Sequence, residues 1–288
     1  MEITNPATEL LATCEAEFAH LLADFDAAPT CTGMFDIATV AEVLVLGNGV
    51  PQTQALRQMA SNSAARWLTS GVLEDLCFSR VELTYATALL AFLAQSGAGH
   101  READMAGIKR LCEGRLIGRS EMPMLTQQLV GAYLSRCGVE TDFGDVGRRD
   151  LARMIDKRLL RARSDEYDLL VVLMCAQLLR LGACPDQAKP TLYPEALLTQ
   201  VVRSKNENWL PVLAFLCAQF FSLSAGLRRE AVTQMRNSLP SPGKLVAAPQ
   251  SAGIDSEYIG RAGRGLRIRS TVALVLSLCT IGDFHADN

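Results

Sequence analysis

Leu160-Arg161-Ala162-Arg163-Ser164-Asp165-Glu166-Tyr167-Asp168-Leu169-Leu170-Val171-Val172-Leu173-Met174-Cys175-Ala176-Gln177-Leu178-Leu179 reads as the end of one helix, a short polar turn and a second helix of different character. Before the turn, Leu151, Met154, Ile155 and Leu159 recur on one helical face, so this helix buries one side and wets the other. After it, only Asp168 and Gln177 interrupt an apolar run, and a helix apolar nearly all round must be enclosed. Ser164 suits the N-cap, where its hydroxyl accepts from a backbone N–H that the first turn leaves unpaired. Asp165 and Glu166 then meet the positive end of the helix dipole.

The junction recurs along the chain. Leu116-Ile117-Gly118-Arg119-Ser120, Val201-Val202-Arg203-Ser204 and Leu266-Arg267-Ile268-Arg269-Ser270 all end in Arg-Ser, and Ser79-Arg80 is an inverted relative. The serines lie 41, 44, 40 and 66 residues apart, and the apolar runs after them close on Gly97, Gly138, Gly182, Gly226 and Gly282. A Pro/Gly/Ser-rich insertion over 238–265 accounts for the long last interval. Glycine at these ends supplies a left-handed C-cap, and inner helices are expected to start within a few residues of each serine.

Amphipathic segments at 52–69, 101–116 and 148–160 form an expected outer layer, and the apolar segments after the junctions form an inner one. A first, atypical unit pairs an outer helix over 8–25 with an inner helix over 34–47, its turn marked by Pro29 and Gly33. The expectation is an all-α chain, residues 1–288 as a single domain of about six helical hairpins, arranged as an α/α toroid or short closed solenoid.

Composition narrows the function classes. With 28 basic and 31 acidic residues the net charge is −3, which suggests neither a nucleic-acid surface nor a polyanionic tail. The nine cysteines are scattered without a C-x-x-C pair and read as reduced, buried thiols. The N-terminal residues lack the basic, then apolar, pattern of a secretory signal, so a cytoplasmic protein is expected. The uncharged run 209–227 approaches membrane-spanning length but holds Pro211, Gln219, Ser222 and Ser224 and falls in the repeat slot of shorter segments; no membrane partner is expected.

Parallel inner helices would bring their N-termini to one mouth. There the carboxylates Asp36, Glu82, Glu121, Asp165, Glu166 and Glu207 would meet Arg80, Arg119, Arg163, Arg203 and Arg269, above Tyr85, Gln127, Tyr167 and Trp209. Acids crowded in a low-dielectric cleft diverge in pKa and can divide acid and base roles, so Glu121 and Glu166 are the candidate catalytic pair. Glu82, Tyr85, Arg119, Asp165, Tyr167, Glu207, Trp209, Arg264, Arg267 and Arg269 are the candidate ligand-binding residues. The same acids also serve simply as first-turn partners of the helix dipole.

The insertion is too long for a mere connection. It is expected to fold over the mouth as a lid, and the run Gly260-Arg261-Ala262-Gly263-Arg264-Gly265 offers an anion cradle. His20, His100 and His285 have no partner at metal-ligand spacing, and neither a phosphate-loop motif nor a nucleophile-elbow motif occurs; no metal or cofactor is expected. Three functions remain. The first is a binding module holding a small molecule or peptide end, such as an accessory protein of a bacterial biosynthetic pathway. The second is a metal-independent hydrolase, lyase or cyclase using the mouth carboxylates. The third is a scaffold for another protein.

Overall fold

The computed structural model describes residues 6–47, 49–77, 82–96, 105–116, 124–140, 173–174, 177–178, 180–182, 198–199, 201–203, 209–220, 224–246 and 263–281. Among them every regular element is helical, and strands are absent. The helices are α1 (Pro6–Ala27), α2 (Cys31–Leu46), α3 (Gln54–Ser70), α4 (Val72–Cys77), α5 (Glu82–Ser96), α6 (Met105–Leu116), α7 (Met124–Arg136), α8 (Trp209–Phe220), α9 (Ala225–Asn237) and α10 (Gly263–Ile281). Further helical residues are 173–174, 177–178, 180, 198–199 and 201–203.

Two layers follow from the two kinds of sequence. Helix α1 buries Leu10, Leu11, Cys14, Phe18, Leu21, Leu22 and Phe25, one stripe at helical spacing. Helix α9 buries only Leu227, Ala231 and Met235. By contrast α2 is buried continuously from Met34 to Leu46, and α10 nearly so from Gly265 to Leu278. Thr30 caps α2 by accepting from the Gly33 N–H at 3.1 Å, so Gly33 belongs to the first turn of α2 rather than to the turn before it. Phe25 of α1 meets Trp67 of α3 edge-on at 4.6 Å, and Asp26 receives both the Trp67 indole N–H and Arg66.

The buried helices pack in an order that brings α10 against α1 and α2. Helix α5 packs on α2, α3 and α7, while α10 packs on α8, α2 and α1. Asp36 meets Gly265 and Gly47 meets Leu276 at the same offset of 229 residues, so α2 and α10 run parallel. Tyr133 reaches Gln177 and Arg136 reaches the Leu181 carbonyl, at separations of 44 and 45 residues, so α7 runs parallel to the helical segment carrying Gln177.

The boundaries partly follow the expected punctuation. Helices α5, α7 and α8 begin a few residues after Ser79, Ser120 and Ser204, and Gly138 and Gly182 take the left-handed conformation, with φ of 76° and 65°. The junction after Ser164 lies outside the described residues, as do Gly97 and Gly282. Ser270 corrects the expectation: it lies buried inside α10, which begins at Gly263. The helix extends backward because Asp36 of α2 takes up the Gly265 N–H in its first turn, a cap that the local sequence does not contain. Gly226 likewise lies inside α9, whose N-cap position is Ser224. The run 209–227 is divided between α8 and α9, and no described helix is long and apolar enough to cross a membrane.

Candidate functional site

Enclosed apolar helices leave few places for polar chemistry, and α2 carries two acids into such an interior. Asp36 and Glu42 are 7% and 1% exposed, and a buried carboxylate costs several kcal/mol unless it is paired, hydrogen-bonded or protonated. The two solve this differently.

Asp36 Oδ1 accepts the Gly265 N–H at 2.7 Å and so caps α10 from the neighbouring helix. Burial pushes its carboxyl up to about 6, against the opposing pull of that N–H and of the Arg264 and Arg267 charges. Glycine is required on the other side of the contact. A Cβ at position 265 would lie 2.2 Å from the Asp36 carbonyl oxygen.

Glu42 sits where α2, α5, α7, α10 and the Gln177 segment converge. Its Oε1 lies 3.0 Å from the Tyr85 hydroxyl, which is 2.9 Å from Gln177 Oε1; the Tyr133 hydroxyl also donates to Gln177 Oε1. On the other side, Arg269 Nη1 stands 3.9 Å from Glu42 Oε2, an ion pair at the limit of contact. The five residues are each at most 5% exposed. Burial pushes the Glu42 carboxyl up to about 7, offset in part by Arg269 and then by the Tyr85 hydroxyl. Burial and then the nearby Glu42 raise the Tyr133 phenol well above its ordinary value, so it stays a protonated donor. Gln177 Nε2 and Ser270 Oγ are buried without a hydrogen-bond partner. The cluster thus combines an acid able to hold a proton near neutrality, two phenols, a guanidinium and an unused amide donor.

Of the residues singled out from sequence, Tyr85 and Arg269 come together here, on opposite sides of Glu42. Arg264 turns instead to α1, pairing with Asp24 at 2.7 Å and Glu17 at 3.2 Å. Arg267 is exposed and acts on Asp36 through its charge. Of the glycine-rich run, Gly265 gives its N–H to the chain's own Asp36, and 260–262 lie outside the described residues. Glu82 and Trp209 open α5 and α8, but their side chains lie outside the described residues, as do Arg119, Glu121, Asp165, Glu166, Tyr167 and Glu207 entirely. Of the insertion, 238–246 is described: Leu239 and Leu245 pack on the core, and the Val246 N–H donates to Thr271 Oγ1 at 3.0 Å. Its last three residues, 263–265, open α10, and 247–262 lie outside the described residues. Among the described residues no three potential metal ligands gather.

No family model, curated protein or solved structure matches the chain. The site must therefore be read from its own chemistry. Glu42, Tyr133 and Gln177 escaped the reading by junctions because they lie in mid-helix, away from the Arg-Ser turns. The signal was available: Glu42 and Gln177 interrupt otherwise apolar inner runs, where a polar group needs a partner.

Proposed function

We propose that the chain is a ring of helical hairpins that binds a small polar molecule, or the end of a peptide, at the N-terminal mouth of its inner helices. The polar cluster around Glu42 and Gln177 would form the floor of that site. The observation that carries this reading is the convergence of Glu42, Tyr85, Tyr133, Gln177 and Arg269, from five separate helical segments, on one point of an otherwise apolar interior. A fold that needed only stability would gain as much from apolar side chains of similar volume there. Ring closure is supported by α10, which packs against both α8 and α2 and is held to the first hairpin through Asp36 and Arg264. The unused Gln177 N–H, beside Arg269 and two phenols, favours a ligand that presents a carbonyl or carboxylate oxygen.

Thermal-shift screening of small carboxylates, amides and short peptides against the wild-type chain and Gln177→Leu tests this. A compound that raises the melting temperature of the wild type but not of the folded Gln177→Leu variant supports the site. Compounds that stabilise both equally place binding elsewhere. The scaffold reading has its own support, since most polar groups of the cluster already satisfy one another. It gains if no small molecule stabilises the chain and Gln177→Leu leaves stability unchanged or higher. The reading as an enzyme rests on Glu121 and Glu166 and needs acid–base activity that is lost on their replacement. An accessory role in bacterial biosynthesis is the setting proposed for such binding.

A further inference from the structure

We draw no further inference here: the strongest candidate, the buried side-chain cluster of Glu42, Tyr85, Tyr133, Gln177 and Arg269 between the inner helices, belongs to the site already described, and its hydrogen bonds are completed with Glu42 either ionised or protonated.

Discussion

Replacing Gly265 by alanine tests the seam between α2 and α10 directly. The added methyl would fall 2.2, 2.6 and 2.7 Å from the carbonyl oxygen, Cα and carbonyl carbon of Asp36, all backbone atoms that cannot rotate away. The two helices must separate, which stretches the 2.7 Å bond from the Gly265 N–H to Asp36. Overpacking of this kind costs about 1–3 kcal/mol or more, and weakening a hydrogen bond to a buried carboxyl adds about 1–2 kcal/mol. Alanine recovers about 1 kcal/mol through its better helix propensity. The net loss should be about 2–3 kcal/mol, a fall in melting temperature of about 3–5 °C for a chain of this size. Gly263, two residues earlier, meets nothing within 4 Å, so Gly263→Ala should be neutral or slightly stabilising. Thermal and urea unfolding of the two variants side by side is the assay. If Gly265→Ala melts at or above the wild-type temperature, α10 does not dock on α2 as described.

Thr30→Ala should cost about 1 kcal/mol by removing the oxygen that takes up the Gly33 N–H at the start of α2, readable in the same unfolding experiment. Arg264→Ala should cost less than about 1 kcal/mol, because its partners Glu17 and Asp24 remain partly solvated, and the loss should shrink as salt is added. Cys14 is fully buried, with its thiol pushed up to about 12 by burial and then by Glu15 and Glu17. It should therefore resist alkylation in the native state and react on unfolding, whereas half-buried Cys31 should label earlier; rapid native labelling of Cys14, followed by mass spectrometry, would contradict the packing of α1.

Helical character and layering could be read from the chain because both are local. The stripe of α1, the apolar run of α2 and the starts of α5, α7 and α8 depend on spacing within one helix and on the residues that flank it. Left-handed glycines at 138 and 182 belong to the same local class. The start of α10 was not legible, because the group that caps it, Asp36, lies 229 residues away and no nearby signal competes with Arg-Ser at 269–270. Arg264 could be recognised as a cation seeking an anion, but only the packing of α10 on α1 chose Glu17 and Asp24 as its partners. Glu42, Tyr85 and Gln177 show the same division. Sequence alone marks each as a polar group in an apolar helix that must find a partner, whereas which partner it finds, and hence where its proton resides, depends on contacts between helices 43 and 92 residues apart. A side chain's need is a property of its own chemistry and burial; the means of meeting it exist only once distant helices have packed.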